Sequence, residues 1–441
     1  MFVAETFGHG ARERALTSAR RPIDRNRQEF HKGSVYHPNV PLIRRWKAAT
    51  FLLAMVIAVV VALPYLDALG FIIRAADLPG TPATVAAWRE TRFTESPRAT
   101  IPTRAGDIPS RRYIPGRRSR RTVLLMPGVH RDGIDESRLV GLARDLAATG
   151  YTVVTVAAPD LQRFKITPEV TDVIEDAVRW TSEQPDLRTD GKIGVLGISF
   201  TGGLSIVAAG RESIRDRVAF VMSFGGHGNL ARALHYLTSG EVLGDLDRAK
   251  QSSAVLGAEH VGVHPPHDYG LAVVLLNFAD RVVPPDQVEP LSRGIDGFLL
   301  ASSLAVTDPP RAIPVFEEMK KYQETLPEPS RTYMQYVNDR AVDKLGPILL
   351  PIADGLTDHP GMKALSAELA TPPSAPIFLL HGIDDNVIPS VETVLLAEHL
   401  KGKAEVRGLL SGLITHAEVD KSAAAIEVWR LASFWRSLMR Y

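Results

Sequence analysis

Between residues 121 and 226, short apolar runs alternate with longer amphipathic ones, and this alternation constrains the fold more than any other feature of the chain. "RTVLLMPG" (121–128), "YTVVTVAAP" (151–159), "KIGVLGIS" (192–199) and "RVAFVMSFGG" (217–226) are short, β-branched and closed by turn residues, so each reads as a buried strand. Between them, 137–150 is an amphipathic helix stopped by Gly150. Residues 167–184 form another, opening on Thr167 as N-cap and Pro168 at the first helical position. "TGGLSIVAAG" (201–210) is a small-residue helix. Strands separated by helices pair in parallel, so the expected class is α/β with a mostly parallel sheet.

The alternation stops after Gly226. Residues 229–372 are mostly helical, with proline-rich breaks at "HPPHD" and "TDPPRAIP". It resumes with "APIFLLHGIDD" (375–385), a helix at 391–400, a strand at 403–410 and a last helix at 425–439, with Ile426, Trp429, Phe434 and Leu438 on or near one face. Some 140 residues between two strands is too long for a loop, so 229–372 is expected to form a helical cap. The apolar "YGLAVVLLNFA" (269–279) is too short to span a bilayer and reads as a cap helix core.

Upstream, Ala48–Leu66 is nineteen residues without a charge, about the length that spans a hydrocarbon core. Arg44, Arg45 and Lys47 precede it directly. The positive-inside rule then places the N-terminus in the cytoplasm and the rest of the chain beyond the membrane, as a single-pass signal anchor. A cleaved signal peptide and a buried core helix are the alternatives. Pro64 suits a helix end or kink. The domain organisation is therefore a polar, Arg-rich tail (1–45), an anchor (46–67), a connection (68–94), a first core segment (95–228), the cap (229–372) and a second core segment (373–441).

The chain has 441 residues, a formal net charge of +1 and no cysteine, which excludes disulfides, thiol nucleophiles and Cys-ligated metals. Residues 1–50 carry ten Lys/Arg against four acids, and 98–121 carry eight Arg against Asp107 alone. Without aromatic interleaving or a binding motif, such patches suit anionic lipid headgroups better than nucleic acid. "HPPHD" offers two histidines and an acid but no third ligand at a familiar spacing, so no metal is expected.

In a parallel sheet, function gathers at the carboxyl ends of the strands, and four such ends carry chemistry here. Ser199 follows a strand in "VLGISFTGG", with Gly197 to permit a tight turn and Gly202 and Gly203 to let the next helix approach. "HGIDDNVIP" (381–389) follows the late strand, and His416 follows the last one. "MPGVHRDG" (126–133) follows the first.

These stretches resemble the α/β-hydrolase superfamily of serine esterases and lipases. The elbow is usually Gly-x-Ser-x-Gly, and Thr201 stands here for the second glycine. "HGIDDNVIP" is similar to the superfamily's His-Gly-x-x-Asp-x-x-Val/Ile-Pro, which implies Asp385 as the acid, with Asp384 as fallback. The chain order Ser199, Asp385, His416 is the order this fold dictates. The resemblance further implies an oxyanion hole from the amides of Val129 and Phe200. His130 could line the pocket or sit at the surface as a cap, and His227 could face the pocket or belong to a polar turn. The implied activity is cofactor-free hydrolysis of a small-molecule or lipid-like ester through an acyl-enzyme. A peptidase or acyltransferase with the same triad, and a non-catalytic membrane-tethered binding protein, are the alternatives.

Overall fold

A computed structural model describes residues 42–441 apart from 188–189, 245, 254–255, 258–262, 416–417 and 420–424. The tail expected over 1–45 therefore lies almost wholly outside the described residues. In chain order the elements are α1 (Leu42–Ala75), α2 (Thr81–Ala87), β1 (Phe93–Glu95), β2 (Ala99–Thr103), β3 (Gly106–Pro115), β4 (Thr122–Met126), α3 (Ser137–Ala148), β5 (Thr152–Val156), α4 (Pro159–Gln162), α5 (Pro168–Glu183), β6 (Ile193–Ile198), α6 (Phe200–Ala209) and β7 (Val218–Phe224). Then come α7 (Leu230–Ser239), α8 (Leu246–Ser253), α9 (Asp268–Asn277), α10 (Ala279–Val282), α11 (Pro285–Thr307), α12 (Pro309–Gln323), α13 (Ser330–Asn338) and α14 (Val342–Asp354). The chain closes with β8 (Ile377–Gly382), α15 (Val391–Leu400), β9 (Val406–Ser411), the short pair β10 (Ile414–Thr415) and β11 (Glu418–Val419), and α16 (Ala425–Leu438).

The strands β1 to β9 form one sheet in the order β1-β3-β5-β4-β6-β7-β8-β9, with β2 on β3. From β5 to β9 every pairing is parallel. Helices cover both faces, so β4 and β5 are buried at every residue, which is why they read as unbroken apolar runs. This is the expected α/β-hydrolase architecture. Between β7 and β8 the described chain is helical from α7 to α14. Arg232 of α7 ties this insertion to the core through Glu392 of α15 (3.0 Å), and pairs within the insertion with Glu368 (2.7 Å). Glu392 is fully buried and also accepts the Gly228 and Asn229 amides at 2.9 and 3.0 Å, so its charge is well compensated.

Four details differ from the sequence expectations. First, the Arg-rich segment is not a free basic patch. It contains the antiparallel pair β2–β3, and six of its arginines pair within the fold: Arg98 and Arg111 with Asp135, Arg104 with Asp176, Arg112 with Asp186, Arg120 with Asp67 and Arg121 with Asp190. Second, α1 runs through Pro64 to Ala75, and Ala68, Phe71 and Ile72 are buried. Third, on α16 the buried face is Leu431, Phe434, Trp435 and Leu438, while Ile426 and Trp429 are exposed. Fourth, Thr167 is the N-cap residue of α5 as expected, but its hydroxyl donates to Asp160 Oδ2 (2.6 Å) and accepts no amide of the helix.

The stretch Ala49–Ala75 is long and apolar enough to cross a membrane, by length and composition. Its residues from Phe51 to Val61 are exposed.

Candidate active site

The sheet register brings four strand ends to one edge. Met126 of β4 pairs with Gly197 of β6, Ile198 with Phe224 of β7, and Phe224 with Leu380 of β8. Strands lie about 4.8 Å apart, so the turns after β6 and β8 are separated by roughly 10 Å, with β7 between them.

Ser199 is the residue at which β6 becomes α6. Its backbone has φ 57° and ψ −131°, a conformation that non-glycine residues rarely hold. The surroundings enforce it. Its amide donates to Phe224 O (2.7 Å), and its carbonyl accepts from the Gly202 amide (2.8 Å). A Cβ at Gly197 would fall 2.2 Å from Thr201 O, and one at Gly202 would fall 2.4 Å from Ser223 Oγ. A residue larger than glycine at either position would push helix and strand apart.

Thr201 has a use that the motif did not reveal. It is fully buried, and its hydroxyl accepts from the Ile198 amide (2.9 Å) while lying 2.8 Å from Ile198 O and 3.3 Å from Met126 O. The side chain replaces a glycine's freedom with a brace across β4, β6 and α6.

Asp385 and its neighbour separate cleanly. Asp385 is buried, and its Oδ1 accepts the amides of Val387 (2.9 Å) and Ile388 (3.0 Å). Its Oδ2 lies 3.4 Å from His381 Nε2. His381 is fully buried, with Nε2 2.9 Å from Ile388 O and Nδ1 2.7 Å from Thr393 Oγ1, so it braces the loop that carries Asp385. Asp384 is exposed and meets His264 Nε2 at 3.1 Å. His416 lies outside the described residues.

Val129 and Phe200 flank the serine, and among the described residues neither amide donates to a protein acceptor. Gly128 packs close behind, where an added Cβ would sit 3.3 Å from Ser199 Cβ. The Tyr269 hydroxyl of α9 donates to Val129 O (3.3 Å), fixing that peptide from the cap side. Nothing in the sequence singled out Tyr269, and the motifs that hold His381 and Thr201 did not reveal their bracing roles, because each acts through a contact distant along the chain or internal to the turn.

The serine opens onto a cavity of about 970 Å³ beneath the cap, walled by Val129, Phe200, Leu234, Val273 and Phe278 among others. His130 lines it. Burial holds its imidazole below the usual range, so it is uncharged at neutral pH. With Nδ1 accepting from the Asp132 amide (3.2 Å), the proton sits on Nε2 and is donated to Ser303 Oγ (2.9 Å) on α11. His227 does not line the cavity. It is fully buried beneath α6, against Phe200 and Gly203, with Nε2 2.7 Å from Leu365 O. Gly203 leaves the room it fills, so the elbow's helix packs over it.

No family model matches the chain, and no curated protein matches its sequence. Solved structures do align with it. An esterase from Pyrobaculum calidifontis is 18% identical over 79% of this chain and 86% of its own, with a TM-score of 0.37. An acylaminoacyl peptidase from Pyrococcus horikoshii is 11% identical over 82% of this chain and 43% of its own, with a TM-score of 0.41. A Pyrococcus furiosus esterase is 12% identical over 80% and 92%, with a TM-score of 0.40. These superpositions are loose.

Proposed function

We propose that the chain is a membrane-anchored serine hydrolase that cleaves an ester. The observation that carries this is Ser199 held at φ 57° on a strand-to-helix elbow, at the mouth of a large, mainly apolar cavity. In the proposed reaction Ser199 Oγ bonds to the acyl carbon. His416 takes the serine proton and gives it to the departing alcohol as the carbon–oxygen bond breaks. Water then attacks the acyl-enzyme with the same base, releasing the acid and restoring the serine. Asp385 orients His416. The Val129 and Phe200 amides stabilise the oxyanion, each contributing about 3 kcal/mol in such sites. No cofactor has a step in this scheme.

The apolar stretch of α1 serves as the anchor. Arg44, Arg45 and Lys47 before it favour a cytoplasmic N-terminus, with the hydrolase body on the other side.

A fluorophosphonate probe tests the central assignment. Wild type is expected to be labelled at Ser199, and Ser199→Ala to lose all labelling. Equal labelling of both proteins, or none of an active wild type, would remove Ser199 from the mechanism.

A further inference from the structure

Ser199 is approached from two sides. Besides the cavity under the cap, a second one of about 450 Å³ meets the same serine, within the size range of small-ligand sites. Its wall includes Phe71, Ile72 and Ala75 of α1, Leu142 of α3 and Trp435 of α16, with the charged Arg74, Asp77, Glu136 and Arg138 also lining it. Phe71 packs on Trp435 with ring centroids 4.3 Å apart, so α1 is a fixed wall here. Burial pushes the Asp145 carboxyl in this wall up to about 6, although Arg74 Nε lies 3.6 Å away. The lining is a poor substitute for water.

The helix that walls this cavity also carries the exposed apolar stretch. Val59, Val60 and Val61 are 50%, 61% and 52% exposed. At 1.5 Å per residue, Val61 and Phe71 are about 15 Å apart along one continuous helix. Between them Tyr65 stacks on half-exposed Trp429 of α16, with centroids 4.7 Å apart, and Ile426 is exposed on the same helix. Aromatic rings at this level suit the bilayer interface.

We infer that the second cavity receives the hydrocarbon chain of a lipid-like ester drawn from the bilayer beside α1, while the rest of the substrate occupies the cavity under the cap. The inference rests on the hydrolase reading and narrows its substrate to amphiphilic esters with one long apolar chain. Ser199, shared by both cavities, then meets the ester bond at the junction between the chain and the remainder.

The test uses the full chain in lipid nanodiscs. A Cβ at Gly141, in the wall of this cavity, would meet nothing within 4 Å, so Gly141→Phe directs a side chain into open space. Leu142→Ala enlarges the same space from the neighbouring position. Turnover is measured for butyryl and dodecanoyl p-nitrophenyl esters. A diazirine-bearing dodecanoic acid is photocrosslinked in parallel and its adducts are mapped by mass spectrometry. Gly141→Phe should lower the dodecanoyl-to-butyryl ratio of kcat/KM at least tenfold and abolish adducts on residues 71–76 and 139–145. Leu142→Ala should raise the ratio. Ratios within twofold of wild type in both variants, or adducts confined to cap residues such as Val273, would overturn the cavity's role and leave the hydrolase intact. Chain adducts at α1 that Gly141→Phe abolishes, in a protein whose Ser199 neither labels nor turns over ester, would sink the hydrolase reading and keep the chain site.

Discussion

The turns after β6 and β8 sit two strands apart on one sheet edge, yet the chain secures Ser199 and Asp385, the proposed nucleophile and acid, by opposite means. At the serine turn the backbone is strained, and side chains are excluded by Gly197, Gly202 and Gly128. At the carboxylate turn no described residue has a positive φ, and Asp385 is held by polar contacts, with the Val387 and Ile388 amides donating to Oδ1 and His381 behind. A nucleophile has to be lifted clear of its neighbours, so steric exclusion suits it. A buried carboxylate has to be compensated, so donors suit it. The serine turn should therefore fail when packing changes, and the acid turn when charge or hydrogen bonding changes.

The largest expected effect separates the two adjacent acids. Asp385→Asn keeps the shape but supplies an amide where the imidazole needs an acceptor, and should lower kcat/KM on a short ester by about 10⁴-fold. Asp384→Asn, exposed and bonded to His264, should change it less than about threefold. Steady-state kinetics on both variants checks this. The reverse ranking would move the acid to Asp384.

A smaller effect is expected at Thr201. The usual glycine of this motif would lose a contact, because Thr201 Oγ1 accepts the amide of half-buried Ile198. Thr201→Val removes that partner while keeping the volume, and should cost about 1–3 kcal/mol in urea unfolding. Thr201→Ser should recover most of it. Equal stability of all three proteins would mean that sterics alone hold the elbow.

Much of this edge was legible in the sequence because buried parallel strands read as unbroken apolar runs, and because glycine and proline mark where they end. The helix over Val391–Leu400 and the strands from β4 to β8 came from that signal. What escaped was whatever depends on partners distant in sequence. The strands β2 and β3 hid behind arginines whose carboxylates lie elsewhere in the chain, such as Asp176, 72 residues beyond Arg104. The continuation of α1 past Pro64 was masked by a residue that usually ends helices, and it is held by burial of Phe71 against Trp435. On α16 the apolar period pointed to Ile426 and Trp429 as well as Phe434 and Leu438, but only the latter two are buried, with Phe434 against Phe378 of β8 and Trp435 against Phe71 of α1. His227 looked like a turn residue because nothing local announces the buried slot beside Gly203 that it fills.

That slot gives the smallest effect and the finest contrast between the two turns. Beneath the serine turn, burial holds the His227 imidazole below its usual range, so the support of the elbow is kept neutral. The sign follows from proton counting. As pH falls through about 6.5 the unfolded chain takes up a proton that the folded chain refuses, so stability present at neutral pH is lost on acidification. One such group contributes a slope of at most about 1.4 kcal/mol per pH unit below that point. Urea midpoints of wild type should therefore fall more steeply between pH 7.5 and 5.5 than those of His227→Gln, whose side chain can still donate to Leu365 O. Parallel slopes in the two proteins would mean that the imidazole is protonated inside the fold. The serine turn would then rest on a compensated charge, as the Asp385 turn does, and the contrast between them would narrow to the glycines alone.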